Sequence, residues 1–316
     1  MNGLPTIGIT MGDAAGIGPE VIVKAIASGE LSSICNTVII GDRAHLEQVA
    51  ISIGIAADKI GEVIDLSNLP VDLGHGLDSE TAGRASAEYI IKAVELCRSG
   101  EIDAIATAPI SKRSLHLGGY DFQGHTEFLA HLTDTKRYKM SFFGGNLRVV
   151  LLSTHLPLTE AIERVKREGL IDLIDFANDK ITRLLGRNIK IAVAGLNPHA
   201  SEGGMFGHEE ADEIIPAIEH CRALGIDVSG PYSPDTIFLR CFNGEFDAVV
   251  ALYHDQATIP VKALSFNKAV NVTLGLPIIR TSVDHGTAYD IAGKGVAEHG
   301  SMLAAIKLAA ELASGR

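Results

Sequence analysis

The chain has 316 residues, 46% of them hydrophobic, and its 39 acidic residues against 27 basic ones give a net charge of −12. This length favours two α/β domains over one small core, and an acidic chain without a basic stripe argues against nucleic acid as a partner. No apolar run reaches the roughly 18 residues that a membrane span requires. The N-terminus lacks a basic region and a cleavage site, so we expect a cytoplasmic protein that does not bind membranes. The four cysteines lie far apart, which favours reduced thiols over disulfides.

Short runs rich in Val and Ile alternate with segments of helix length. The predicted strands are Thr6–Thr10, Thr37–Ile40, Ala104–Ala106, Arg148–Leu152, Lys190–Ala194, Ala248–Leu252 and Ala269–Leu274. The predicted helices are Pro19–Ser28, Glu80–Arg98, Glu168–Leu185, Glu209–Ala223 and Ser301–Ala313. This alternation predicts a mainly parallel sheet covered by helices.

Three consecutive predicted strands are each followed by a histidine, namely His155, His199 and His254. Ligands of open α/β sheets bind at the carboxyl ends of the strands, and neutral imidazole is the commonest ligand for a divalent ion. The three histidines therefore predict a metal site with open positions for substrate. Asp235 and Asp255 are candidates to orient the rings. Taken singly, each histidine is more often an ordinary residue near a strand end.

A second candidate site lies in "FQGHTEFLAHL", where a predicted helix opens after a glycine. Its first turn offers backbone N–H groups together with the side chains of His125 and Thr126, an arrangement suited to an anion. The alternative is that Thr126 and Glu127 only cap the helix. The residues leave both open.

Two stretches contain several glycines, "GDAAGIGPE" near the N-terminus and "HGTAYDIAGKG" near the C-terminus. The C-terminal stretch places small residues where a backbone must approach a flat ligand. Gly12, Gly16 and Gly18 do not have the spacing of a G-x-G-x-x-G fingerprint. They indicate a tight strand-to-helix turn with Pro19 at a first helical position.

The motifs "ITMGDAAGIGPEV", "STHLPL", "GLNPHASEGG", "YHDQ" and "VNVTLGLPIIRTSVDHGTAYDIAGKG" resemble the 4-hydroxythreonine-4-phosphate dehydrogenase (PdxA) family, and they extend over nearly the whole chain. The resemblance implies an isocitrate/isopropylmalate dehydrogenase-like fold of two α/β/α domains, with the active site in the interdomain cleft at a dimer interface. We expect a discontinuous first domain, 1–120 plus 270–316, on the cofactor side. A second domain, 121–269, is expected on the metal and dimer side.

Residue roles follow from the same resemblance. His155, His199 and His254 would bind one divalent ion (Zn, Mg, Co or Mn), with ligands from both subunits of an obligate homodimer. The implied substrate ligands are His125, Thr126, Lys262, Asn271 and Arg280. Arg280 would clamp an anionic group, and Lys262 would lie beside the reacting carbon as a proton donor, with Asp235 and Asp255 as further catalytic candidates. A lone lysine or arginine is otherwise usually a solvated surface group.

The C-terminal stretch is similar to the H-G-S-A-P-D-I-A-G cofactor loop of isocitrate and isopropylmalate dehydrogenases, and the N-terminal stretch is similar to their G-D-G-I-G-P-E. This implies that NAD or NADP is bound by Gly12, Asp13, His285, Gly286, Thr287, Ala288 and Asp290. The absence of an evident basic cluster for a 2′-phosphate favours NAD.

The expected reaction is the oxidation and decarboxylation of a 4-phosphorylated 3-hydroxy acid. The chain has "HDQATIPVKAL" where the pyridoxine-pathway enzymes usually have H-D-Q-G-L-P-V-L-K. This favours the branch acting on D-threonate 4-phosphate or D-erythronate 4-phosphate, which yields dihydroxyacetone phosphate and CO2. The alternatives are 4-hydroxy-L-threonine 4-phosphate, from pyridoxal phosphate biosynthesis, and a dihydrodiol carboxylate. A metal-dependent lyase or isomerase without nicotinamide and a small-anion sensor are the candidates from other classes.

Overall fold

The computed structural model describes residues 3–265 and 268–315, and these form two compact units. The first unit contains the described residues up to Tyr138 together with Gly275–Ser314, and the second is Lys139–Leu274. Residues 121–138, which the sequence assigned to the second domain, belong to the first unit because their helix packs on a long helix of that unit. Residues 270–274 belong to the second unit because they pair with one of its strands.

The strands are, in chain order, β1 (Thr6–Thr10), β2 (Asn36–Gly41), β3 (Glu62–Asp65), β4 (Ala104–Thr107), β5 (Lys139–Gly144), β6 (Leu147–Leu151), β7 (Ile191–Ala194), β8 (Val228–Tyr232), β9 (Ala248–Ala251), β10 (Val270–Leu274) and β11 (Ile279–Ser282). The helices are α1 (Gly18–Ala27), α2 (Arg43–Ser52), α3 (Glu80–Ser99), α4 (Lys112–Leu117), α5 (His125–Leu132), α6 (Leu158–Glu163), α7 (Arg167–Leu185), α8 (Ile215–Ala223), α9 (Ile237–Phe242), α10 (His254–Leu264) and α11 (Gly300–Ser314). Short turns of 3-10 or π type occupy Ala57–Lys59, Pro198–Gly203 and Glu210–Ile214. Every helix within the described ranges is too short or too polar to span a bilayer.

The sheet of the first unit is parallel, in the order β3-β2-β1-β4-β11. The central strands are apolar and buried, as expected for a sheet covered by helices. α3 packs on β1 and β2, and α11 packs on β1, β4 and β11. α3 begins where the side chain of Ser79 accepts a hydrogen bond from the Ala82 N–H, and it ends at Gly100, which is left-handed.

The sheet of the second unit is mixed, in the order β10-β5-β6-β9-β7-β8. β5 runs antiparallel to both of its neighbours, whereas β6, β9, β7 and β8 are mutually parallel. Phe142, Val149, Ala192 and Val249 belong to the buried cluster at its centre. Because β6, β9 and β7 are adjacent and parallel, their carboxyl ends meet at one edge of this sheet.

Candidate active site

The three predicted metal-binding histidines follow the three adjacent strands of the second unit. His155 comes after β6, His254 opens α10 directly after β9, and His199 comes after β7. The aligned registers of these strands place all three connections at the same sheet edge. This is the edge at which open α/β sheets bind ligands.

Two of the histidines lie close together. The ring centroids of His155 and His254 are 5.7 Å apart, with the rings tilted by 43°. Nδ1 of His254 is 2.6 Å from Oδ1 of Asp255, a contact that orients the ring and leaves Nε2 for a ligand. A pair of imidazoles, one of them backed by a carboxylate, is a donor set that suits a divalent transition metal.

His199 lies in an unusual turn. His199, Ala200, Ser201 and Glu202 have φ values of 52°, 53°, 68° and 46°, all in the left-handed region. Each such residue costs about 1–2 kcal/mol of backbone strain. Ser201 Oγ donates to the Gly207 carbonyl at 2.5 Å and helps to close the turn. Consecutive strained residues are typical of functional turns.

The stretch before this turn is held by a buried carboxylate. Oε1 of Glu210 accepts hydrogen bonds from the backbone N–H groups of Leu196, at 2.8 Å, and Asn197, at 2.7 Å. Oε2 of the same carboxylate accepts from Asn197 Nδ2 at 2.8 Å. The strand end and the start of the histidine turn are therefore fixed from one side.

Within the described part of a single chain, no three His, Cys, Asp or Glu side chains form a group that could hold a metal ion. One chain thus brings two imidazoles together, and the complete triplet with His199 stays a prediction. The pair fits a divalent ion as a partial donor set.

The remaining candidates of the second unit are dispersed. Lys262 is exposed in the last turn of α10, eight residues after His254, which places it roughly 12 Å further along the helix axis. Asp235 is exposed and accepts a hydrogen bond from Ser233 Oγ at 2.6 Å. Asn271 lies in β10, and its buried Oδ1 has no hydrogen-bond partner among the described residues. A buried amide oxygen without a partner is unusual and marks a position suited to a ligand donor.

The first unit buries the cationic side chain of Arg280. This side chain is only 3% exposed, and Oγ1 of Thr107 accepts hydrogen bonds from its Nε at 3.2 Å and its Nη2 at 2.7 Å. Burial lowers the pKa of Arg280 to about 9, and the charge of Glu127 opposes this shift. A buried guanidinium is a strong ligand for carboxylate or phosphate.

His125 lies close enough to Arg280 to be affected by its charge. It is the first residue of α5, directly after Gly124, as the sequence predicted. Burial lowers the pKa of His125 well below its ordinary value, and the charge of Arg280 adds to this effect, so the ring is neutral at pH 7. Nε2 of His125 is buried and has no partner among the described residues. Thr126 follows in the same first turn and is half-buried.

The two glycine-containing stretches contact each other in the first unit. The Ile17 N–H donates to the Thr287 carbonyl at 3.0 Å, and a Cβ on Gly16 would lie 2.9 Å from Cβ of Thr287. Gly12 has φ 72°, and a Cβ there would clash with the Pro109 carbonyl. Gly12 and Gly16 thus lie in the tight turn between β1 and α1 that the sequence predicts.

Asp13 is buried where these two stretches meet. Its carboxylate is fully buried, with Oδ2 accepting from Tyr289 Oη at 2.8 Å and Oδ1 accepting from the Ala15 N–H at 2.9 Å. Burial raises the pKa of Asp13, although the bonds from Tyr289 and Ala15 oppose the shift. The carboxylate thus holds the predicted cofactor loop to the N-terminal turn. His285, Gly286 and Asp290 are exposed, and Thr287 and Ala288 are half-buried.

α1 holds the end of the same loop. Lys24 Nζ donates to the carbonyls of Gly295, at 2.9 Å, and Ala297, at 2.8 Å, and pairs with Glu20 at 2.7 Å. Glu20 also accepts from the Ala297 N–H at 2.7 Å. Sequence reasoning did not identify these residues, nor Thr107 or Tyr289. Glu20 and Lys24 are four residues apart on a predicted helix, which signals an ion pair but not its target.

Comparison with known proteins identifies the family to which this chain is similar. The family model described as pyridoxal phosphate biosynthetic protein PdxA matches residues 33–309. A D-threonate 4-phosphate dehydrogenase from Cupriavidus necator is 47% identical, covering 99% of this chain and 98% of that protein. A 4-hydroxythreonine-4-phosphate dehydrogenase from Desulforapulum autotrophicum is 45% identical, covering 97% and 95%. The solved 4-hydroxythreonine-4-phosphate dehydrogenase from Klebsiella pneumoniae is 40% identical, with a TM-score of 0.90 and 98% of each chain covered.

These relatives and the shared α/β fold define an oxidoreductase of the dehydrogenase class. Within that class, the chain belongs to the PdxA family. The family predicted from the sequence motifs is therefore confirmed.

Proposed function

We propose that this protein is a dehydrogenase, dependent on NAD(P) and a divalent metal, that oxidises and decarboxylates D-threonate 4-phosphate or D-erythronate 4-phosphate. The products are dihydroxyacetone phosphate and CO2. The observation that carries the proposal is the proximity of two side chains of the first unit: buried Arg280 lies near the neutral His125, whose Nε2 is buried and has no partner among the described residues. Both groups suit an anionic, hydroxylated substrate.

Each binding residue has a role that follows from its surroundings. Arg280 binds an anionic group of the substrate, held in orientation by Thr107. Nε2 of the neutral His125 forms a hydrogen bond with a substrate oxygen, and the hydroxyl of Thr126, in the same helical turn, is a further hydrogen-bonding group for the substrate. Oδ1 of Asn271 accepts from a substrate hydroxyl.

The residues that we propose for metal binding and proton transfer belong to the second unit. Asp255 fixes the His254 ring through Nδ1. His254 and His155 are the proposed metal ligands, together with His199. A divalent ion in this position supplies Lewis acidity to a substrate oxygen, and nicotinamide, bound by the loop from His285 to Asp290 with the turn of Gly12 and Asp13, supplies a hydride acceptor. Lys262 is the proposed proton donor to the carbon that loses CO2, with Asp235 as a further candidate.

We also propose a homodimer with shared sites. One chain brings His155 and His254 together without forming a group of three ligands among its described residues. Ligands supplied by both subunits would complete the set. Sedimentation velocity tests this: a protein that is monomeric at assay concentration yet fully active would contradict shared sites.

The relatives also support a second substrate. The sequence identity to a 4-hydroxythreonine-4-phosphate dehydrogenase is 45%, close to the 47% identity to a D-threonate 4-phosphate dehydrogenase. 4-Hydroxy-L-threonine 4-phosphate differs from D-threonate 4-phosphate by an amino group in place of the C2 hydroxyl. The two candidates therefore place different groups opposite the same residues.

The deciding experiment is a screen of the purified protein with Mg²⁺, Mn²⁺, Co²⁺ or Zn²⁺. Each phosphorylated acid is paired with NAD and with NADP, and formation of reduced nicotinamide and of CO2 is followed. We expect the highest kcat/KM with D-threonate or D-erythronate 4-phosphate and NAD. Higher kcat/KM with 4-hydroxy-L-threonine 4-phosphate would assign the second substrate. Turnover without nicotinamide would favour the lyase or isomerase alternative.

A further inference from the structure

Gln256 links two of the strands that carry the predicted metal ligands. Its side chain is buried, at 7% exposed. Oε1 accepts a hydrogen bond from the Leu252 N–H at 2.7 Å, and Nε2 donates to the Gly195 carbonyl at 2.7 Å. Leu252 follows β9, and Gly195 follows β7. One amide therefore joins the carboxyl ends of two neighbouring strands.

Ser153 extends this link to the third strand. Its buried Oγ donates to the Leu252 carbonyl at 2.9 Å. Ser153 stands two residues before His155, and Leu252 stands two residues before His254. Gly195 stands four residues before His199. Each of the three histidines thus comes shortly after a residue, Ser153, Leu252 or Gly195, that takes part in the same network of hydrogen bonds.

The amide does more than cap a helix. Gln256 is the third residue of α10, the position from which a Gln or Glu side chain commonly reaches back to a backbone N–H before the helix. A glutamate would make that bond equally well. Only an amide can also donate to the carbonyl of Gly195, 61 residues away in the chain. The residue type is therefore explained by the bond between strand ends.

We infer that Gln256 is a positioning residue that fixes the spacing of the strand ends carrying His155, His199 and His254. The inference rests on the proposed metal site. Glu210 holds the β7 end from the other side, through Leu196 and Asn197. The position of the His199 turn relative to α10 then depends on the bond from Gln256 to Gly195.

Gln256→Glu is the sharpest test, because it keeps the acceptor for Leu252 and loses the donor to Gly195. Gln48→Glu is the matched control, since it makes the same change at an exposed position of α2. Co²⁺ is the probe, with its affinity measured by chelator competition and its coordination by the visible absorption spectrum. We expect Gln256→Glu to bind Co²⁺ roughly 10–100-fold more weakly, with an altered spectrum, as for other residues that orient metal ligands. Gln48→Glu is expected to match the wild type.

A purely structural role predicts another result. The metal-free Gln256→Glu protein would melt at a lower temperature, but its folded fraction would bind Co²⁺ with wild-type affinity and spectrum, and this would overturn the inference. If Gln256→Glu does not fold, Ser153→Ala replaces it, with a smaller but measurable loss of Co²⁺ affinity expected; unchanged affinity overturns the inference. Wild-type protein that binds no Co²⁺ would overturn the proposed metal site itself, and the positioning role with it.

Discussion

Thr107 accepts two hydrogen bonds from Arg280, at 3.2 Å from Nε and 2.7 Å from Nη2. Both residues are buried: Thr107 is the last residue of β4, and Arg280 is the second residue of the adjacent strand β11. The hydroxyl sets the plane of the guanidinium, and a planar donor binds an anion well only when its plane is fixed.

Thr107→Val should therefore weaken substrate binding. The variant keeps the shape of the side chain and removes the acceptor, which costs about 1–3 kcal/mol for hydrogen bonds to a charged group, or roughly 5–150-fold in affinity. We expect a higher KM for the phosphorylated acid and an unchanged KM for the nicotinamide, and Thr107→Ser should restore most of the affinity. Steady-state kinetics with each substrate varied in turn would show this. Equal KM values for the acid in Thr107→Val and wild type would count against the role.

Tyr289→Phe should loosen the loop that we propose binds the nicotinamide. The variant removes the donor to the buried carboxylate of Asp13, and an unsatisfied buried acceptor costs about 1–3 kcal/mol. We expect a lower free energy of unfolding in urea and a higher KM for the nicotinamide. A double-mutant cycle with Asp13→Asn isolates the pair. Strictly additive effects in that cycle would mean that the two side chains do not act together.

The carboxyl ends of the apolar strands could be predicted from the sequence, and so could the positions of the histidines that follow them. Ala248–Leu252 is a continuous apolar run, so the polar residues after it stand out, and the rule for carboxyl ends then places His254. The motif resemblance predicts Arg280 as a substrate ligand but does not predict the strand that contains it. β11 was not predicted because Arg280 and Thr281 interrupt its apolar run, and their burial depends on partners distant in sequence.

β5 was missed for a related reason. Lys139–Gly144 begins with a charged residue and leads into a glycine turn, so it does not read as an independent strand. Its place is set by pairing with β6 and β10. The bonds of Thr107, Tyr289 and Gln256 are likewise invisible in the sequence. They join residues 173, 276 and 61 positions apart, and the spacing of residues carries no record of such contacts.

The titration of His125 should contribute to the pH dependence of the free energy of unfolding. The folded protein holds this ring neutral, because burial and Arg280 lower its pKa, whereas the ring in the unfolded chain takes up a proton as the pH falls through about 6.5. The unfolded state then binds more protons, so the free energy of unfolding falls with decreasing pH.

His125→Gln removes this titration. We expect its free energy of unfolding in urea to fall less than that of the wild type between about pH 7.5 and pH 5.5. Some slope should remain, because burial also lowers the pKa of His45. Parallel slopes for His125→Gln and wild type would show that His125 is not held neutral by the fold.

Removal of the metal or of one ligand should abolish turnover. His254→Ala removes one of the two imidazoles that lie 5.7 Å apart, and loss of a preorganised charge-stabilising group costs about 10²–10³ in kcat. We expect at least this loss, with the apparent affinity for Co²⁺ also reduced. His220→Ala, at an exposed position on α8, is the control and should keep full activity. Chelator treatment should inactivate the wild type, and returned Co²⁺ or Zn²⁺ should restore it. A His254→Ala enzyme that keeps the wild-type rate after chelation would show that the reaction does not use this metal site.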